Sequence, residues 1–166
     1  MNTGDIGMMS FNDCVKILGR SKDTIVLASG ENVEPVPIEN RLLQSPLIDH
    51  VMVVGQDEKS LGALIVPSIE GFKSLGYESL SVAELAEHPD VEKEVARAIK
   101  QEISSENGFK SFERVTDFRL VPKTFEAADE LTAKLSLRRH VITEKYQHLI
   151  DEIYGRTPSE KSKAAK

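Results

Sequence analysis

Three short apolar runs in the middle of the chain predict the strands of one small sheet. They cover residues 48–54, residues 62–66 and, with a looser alternation, residues 115–121. The first two runs are rich in β-branched residues, which pack well on a pleated surface, and the turn-forming residues 57–60 separate them. We therefore expect a three-stranded sheet in which the first two strands are neighbours.

Three stretches with helical spacing of their apolar residues predict helices around this sheet. The first begins at Pro37 and ends near Pro46, the second occupies residues 81–105 with Ser81 as its N-cap, and the third runs from Arg138 to about Gly155. Strands that alternate with helices are typical of an α+β domain. The pattern predicts two layers, in which helices cover the three-stranded sheet.

A projecting β-hairpin is predicted near the N-terminus. A β-prone run at 24–27 is followed by turn-forming residues at 29–32 and then by Val33. Gly30 suits a turn position with a positive φ. Ahead of this hairpin, a glycine-rich entry leads into a further short strand at 15–18.

Composition places the chain among single globular domains and excludes several partners. It has 166 residues and a formal net charge of -6, and this acidic balance argues against a nucleic-acid surface while leaving room for small anionic ligands. Its single cysteine, Cys14, excludes an internal disulfide and fits a reducing, cytoplasmic location. No apolar run approaches the roughly 20 residues that cross a bilayer. The end of the chain, 156–166, is predicted to be a disordered tail.

The sequence predicts no metal site. The four histidines lack the spacing that metal ligation requires, and two prolines interrupt the acidic residues Glu31, Glu34 and Glu39, which we interpret as a solvated face.

Several motifs, in order and spacing, resemble those of the adenylate-forming (AMP-binding) ligases. They are TGDIG at 3–7, GRSKDTI at 19–25 and GENVEP at 30–35. The runs DTIVL and GENVEP, and QD before LGALIVP, resemble the long-chain fatty-acid branch, which includes acyl-ACP synthetases. The ELT, RR and EKY runs near the C-terminus extend the resemblance over residues 3–154.

The resemblance implies the small C-terminal lid domain of an ATP-dependent fatty-acid ligase, which forms acyl-AMP and then a thioester with CoA or acyl carrier protein. Residues 1–18 would be the end of the large N-terminal domain and a linker, and 19–155 the lid. That large domain would hold the acyl pocket, Mg²⁺ and most contacts to ATP, so the chain alone is expected to be inactive. A peripheral association of the whole enzyme with a membrane stays open.

The same resemblance assigns roles to four residues of the first motifs. Asp5 matches the aspartate that binds the ribose hydroxyls of AMP, and Arg20 matches an arginine near the ribose and phosphate oxygens. Lys22 falls at the hinge about which the lid swings between its two orientations. Gly30 matches the loop glycine that faces the pantetheine tunnel. Taken alone, each would be an ordinary turn, linker or surface residue.

The resemblance also implies a catalytic lysine near the C-terminus, but the usual position for it does not hold a lysine in this sequence. Its usual position, two residues before the basic pair Arg138-Arg139, holds Ser136, and Lys134 lies two residues earlier. In an extended segment both positions project to the same side, so Lys134 is our candidate. The alternatives are a loss of adenylation chemistry and an ordinary exposed lysine. A non-catalytic module of the same fold, which docks a carrier protein or another partner, is the competing function.

Overall fold

A computed structural model of the chain describes residues 5–9, 15–20 and 23–156. The N-terminal part contributes a two-stranded antiparallel sheet, formed by β1 (Asp5–Met9) and β2 (Val15–Arg20). The strand predicted at 15–18 is therefore present within β2, whereas β1 was not predicted, because glycines in its surroundings indicated turns.

The predicted hairpin and the predicted central sheet are both confirmed. The hairpin consists of β3 (Ile25–Val26) and β4 (Asn32–Val33). The sheet consists of β5 (Ile48–Val54), β6 (Leu61–Pro67) and β7 (Val115–Leu120), in that order. Strand β5 runs antiparallel to β6, and β7 runs parallel to it.

Helices cover both faces of this sheet, so the predicted two-layer arrangement was wrong. In the described part of the chain, four α-helices lie on one face and two on the other: α1 (Pro35–Leu42), α2 (Ile69–Lys73), α3 (Val82–Glu87) and α4 (Pro89–Glu102), then α5 (Arg139–Lys145) and α6 (Gln147–Ile153). Along β6, Ala63 and Ile65 belong to the first core and Leu64 and Val66 to the second. All seven residues of β6 are buried, as expected of a strand covered on both sides.

Two predicted helices are each divided. At His88 the backbone is extended, with φ -85° and ψ 121°, because a residue before proline avoids the helical region and Pro89 begins α4. The C-terminal helix breaks at Tyr146. The first helix begins at Pro35 instead of Pro37. Within residues 23–156, none of the helices is long and apolar enough to cross a membrane.

Candidate functional site

Backbone pairing places the two predicted nucleotide-binding residues opposite each other. Asp5 and Arg20 are register partners at one end of the β1–β2 ladder. Lys22, the predicted hinge, lies outside the described residues.

Gly30 closes the loop of the hairpin formed by β3 and β4. Its N–H donates to the Leu27 carbonyl at 2.8 Å, and the Leu27 N–H donates to the Glu31 carbonyl at 2.9 Å. The φ of Gly30 is +93°, in the region that favours glycine, as the sequence predicted. A Cβ at Gly30 would meet no atom within 4 Å, so within this domain the requirement for glycine comes from the backbone alone.

Lys134 lies in a tight turn, and the extended segment assumed from the sequence is absent there. The Thr132 N–H donates to the Ser136 carbonyl at 2.8 Å, and the Thr132 hydroxyl oxygen accepts from the N–H groups of Lys134 and Ser136. Leu135 has a φ of +59°. Lys134 is exposed, and no partner for its ammonium group lies among the described residues. The same-side argument that linked positions 134 and 136 therefore does not hold.

A buried carboxylate fixes the base of this turn. Glu130 is fully buried; its Oε1 accepts from Lys145 Nζ at 2.9 Å and its Oε2 from the Glu126 N–H at 3.1 Å. Burial raises the pKa of Glu130, but these hydrogen bonds outweigh it and hold the pKa below 4.5. The hydrogen bonds that Lys145 donates to the carboxylates of Asp129 and Glu130 raise the pKa of Lys145. The lysine thus stays charged and ties α5 to the segment that carries Lys134.

Arg138 also ties down this segment. Its guanidinium donates to the carbonyls of Ala128 at 3.2 Å and Asp129 at 3.0 Å. From the start of α5, Arg138 thus satisfies two backbone acceptors of the preceding segment.

Glu39 and Arg139 form an ion pair that the sequence did not reveal. Glu39 is only 5% exposed, and its carboxylate accepts two bonds from Arg139 Nη2, at 2.6 and 2.7 Å. It also accepts the Val53 N–H at 2.8 Å. Burial raises the pKa of Glu39, although the Arg139 guanidinium opposes this rise. The interpretation of Glu39 as part of a solvated face was therefore wrong.

A cleft of about 730 Å³ separates the Lys134 turn from α1 and the start of β5. Charged side chains of Asp23, Glu39, Lys134 and Arg139 line it together with apolar ones, which include Val36, Leu43, Leu135 and Leu137. Leu43 and Leu135 are exposed by 44% and 68%. The cleft therefore combines a cation without a partner among the described residues with an apolar wall.

No group of three or more potential metal-ligating side chains is arranged to hold an ion within the described part of the chain. The residues present there do not fit a Mg²⁺ site, and no chemical step is assigned to a metal in this domain.

Known proteins with similar sequences are ligases of fatty acids. The long-chain-fatty-acid–CoA ligase FadD15 of Mycobacterium tuberculosis is 35% identical over 160 residues, which are 93% of this chain and 26% of that protein. The chloroplastic long-chain-fatty-acid–[acyl-carrier-protein] ligase AEE15 of Arabidopsis thaliana is 32% identical, over 93% of this chain and 21% of its own length. The chain thus spans about a quarter of the length of these relatives.

A solved structure and a family model agree with these sequence similarities. The adenylation domain of a carboxylate reductase from Mycobacterium chelonae superposes with a TM-score of 0.76 at 25% identity, over 92% of this chain and 23% of that one. The sequence profile of the family described as AMP-binding enzyme C-terminal domain matches residues 22–158. This chain belongs to that family of C-terminal domains.

Proposed function

We propose that the chain is the lid of a long-chain fatty-acid ligase, which activates the acid with ATP as acyl-AMP and passes the acyl group to the thiol of CoA or acyl carrier protein. The observation that carries this proposal is the family match, together with 35% and 32% identity to a CoA ligase and an acyl-carrier-protein ligase. Fatty acid, Mg²⁺ and most of ATP would be held by a large N-terminal domain.

Lys134 is the proposed catalytic residue of the adenylation step. Its ammonium group has no partner among the described residues and stands on the cleft, where the well-anchored turn holds it. A fixed cation can stabilise the negative charge on the carboxylate and phosphate oxygens while pyrophosphate leaves. In this proposal it is the turn, and no longer an extended segment, that lets a lysine at position 134 act as the cation of the adenylation step.

Asp5 and Arg20 are the proposed nucleotide ligands. Their opposite positions in the β1–β2 ladder support this, since one nucleotide can contact both residues of a register pair. Lys22 is proposed as the hinge and Gly30 as the residue that leaves room for the thiol arm.

The test uses the full-length protein with ATP and a long-chain fatty acid. Lys134→Ala should lower fatty-acid-dependent exchange of pyrophosphate into ATP by about a hundredfold or more. Thioester formation from supplied acyl-AMP should change much less. The matched control is Lys100→Ala, because Lys100 is exposed on α4 and does not line the cleft. Unchanged pyrophosphate exchange in Lys134→Ala would refute the proposed role of Lys134.

Position 136 provides a second test of the same assignment. In the Lys134→Ala background, Ser136→Lys returns a lysine to the position usual for the family. Recovered exchange would show that the adenylation centre is intact and lacked only its cation. A full-length protein that forms no acyl-AMP at all would instead favour a docking module, for which the exposed Leu43 and Leu135 of the cleft would be the contact surface.

A further inference from the structure

The turn between β5 and β6 holds the Gly30 hairpin by its outer edge. The Asp57 N–H donates to the Val26 carbonyl at 2.8 Å, and Gln56 Oε1 accepts the Val26 N–H at 3.1 Å. The Ala28 N–H donates to the Glu58 carbonyl at 2.9 Å. The hairpin, which the sequence predicted to project, is therefore bonded to residues 56–58.

These bonds matter because the hairpin has little structure of its own. Strands β3 and β4 contain two residues each, and so short a hairpin is marginal in water without support. The support comes from a turn whose own shape is defined by the left-handed Asp57, at φ +63°, and by a bond from the Glu58 N–H to the Gly55 carbonyl at 3.0 Å.

The turn between β5 and β6 is itself connected to the end of α6. The Glu58 carboxylate, whose side chain is only 16% exposed, pairs with the guanidinium of Arg156. That guanidinium lies 5.8 Å from the centre of the Tyr154 ring, and the Tyr154 hydroxyl contacts the carbonyls of Val54 and Ser60, each at 3.2 Å. A continuous set of contacts thus runs from the C-terminal helix to the loop of Gly30.

We infer that Gln56 and Glu58 are positioning residues for the thiol-transfer step: they hold the Gly30 loop in the one place where it can border the path of the thiol. This inference rests on the proposed function of Gly30. It assigns the two residues no contact with substrate. Gln56 acts through Val26, and Glu58 acts through its pairing with Arg156, which fixes the carbonyl that Ala28 binds.

The test compares the two half-reactions in the full-length protein. Gln56→Met keeps the length of the side chain but removes the acceptor, whereas Gln56→Glu keeps an acceptor oxygen. Glu58→Gln removes the charge that pairs with Arg156. Lys59→Ala is the control, since Lys59 is exposed beside the same turn and has no bonding partner among the described residues.

With supplied acyl-AMP, we expect Gln56→Met and Glu58→Gln to lower kcat/KM for the thiol by about three- to tenfold. This is the usual effect of losing one hydrogen bond. The rate of pyrophosphate exchange should stay within about twofold of that of the unmodified protein, since the proposed adenylation step does not use the hairpin. Gln56→Glu should recover most of the thiol reaction. Faster hydrogen exchange at the Val26 and Ala28 amides should accompany the loss.

Three results would overturn the inference. Equal losses in both half-reactions would make the turn a purely structural support. Faster amide exchange without any loss of thiol transfer would show that the position of the hairpin does not matter, and unchanged amide exchange would show that these bonds do not hold it. An unmodified protein without pyrophosphate exchange would instead refute the proposed function itself, and the inference with it.

Discussion

Removal of the Glu39 carboxylate should destabilise the domain more than any surface substitution. Glu39 joins three elements: it lies in α1, accepts the Val53 N–H of β5 and pairs twice with Arg139 at the start of α5. In Glu39→Ala the guanidinium would keep, among the described residues, only Asp23 at 3.8 Å as an acidic neighbour. The Val53 amide would lose its side-chain acceptor.

The magnitude follows from how well solvent can replace these bonds. Removing one partner of a buried ion pair typically costs about 3 to 5 kcal/mol. The Arg139 side chain is 21% exposed, so water recovers part of its solvation and the lower end applies, about 3 kcal/mol. Glu39→Gln keeps an acceptor for the Val53 amide and should cost less, about 2 kcal/mol.

Urea denaturation of the chain, followed by circular dichroism, measures these changes. The double variant Glu39→Leu with Arg139→Met removes both charges, and its free energy of unfolding should lie closer to that of the original chain than that of Glu39→Ala does. Together with the single variants Glu39→Leu and Arg139→Met it completes a double-mutant cycle, with an expected coupling of about 2 kcal/mol. Additive single effects, or a cost below about 1 kcal/mol for Glu39→Ala, would refute the reasoning.

Three further predictions concern the packing and titration of single side chains. A Cβ at Gly71 would lie 2.0 Å from the Pro46 carbonyl oxygen, so Gly71→Ala should cost about 2 kcal/mol or more in a urea titration; a neutral result would mean that the backbone yields there. Burial raises the pKa of Tyr154 from 10.0 to about 12, so its contribution to stability should disappear as the pH rises through this range, and Tyr154→Phe should lack that alkaline loss. Glu130 has a lowered pKa, so the bond from Lys145 should stabilise the fold above pH 4.5 and fade in acid. Glu130→Gln should therefore be about 2 kcal/mol less stable near neutral pH, with a deficit that shrinks in acid; a constant deficit would contradict the assigned shift.

The sheet could be predicted from the sequence because its strands contain apolar runs, which in β6 cover both faces. Strand β6 shows this best, since each of its residues is buried and its sequence, LGALIVP, contains no charged residue. The break before Pro89 also had a local signal in the proline. The break at Tyr146 had none, because Ile142 and Ile150 keep a helical spacing across it and contact the same core.

The site could be predicted only where local chemistry determines it. The positive φ of Gly30 was predicted because the surrounding turn-forming residues need a glycine there. The pairing of Glu39 with Arg139 joins positions 100 residues apart, and nothing near Glu39 in the sequence marks it as buried. The turn at Lys134 was missed because it is stabilised by the Thr132 hydroxyl, which accepts backbone N–H groups of the turn. The run contains no glycine, asparagine or proline that would mark a turn.

Strand β5 fixes a spacing between the two regions to which separate steps are assigned. Its first half, at His50 and Val51, borders the cleft that Lys134 lines, and the turn that follows its last residue holds the Gly30 loop. His50 lies four positions before Val54, the last residue of β5, which is a span of about 13 Å in an extended strand. A reaction centre the size of one phosphate group would meet only one of these regions at a time. In the proposed function, the length of this strand would then set how far the lid must turn between activation of the acid and its transfer.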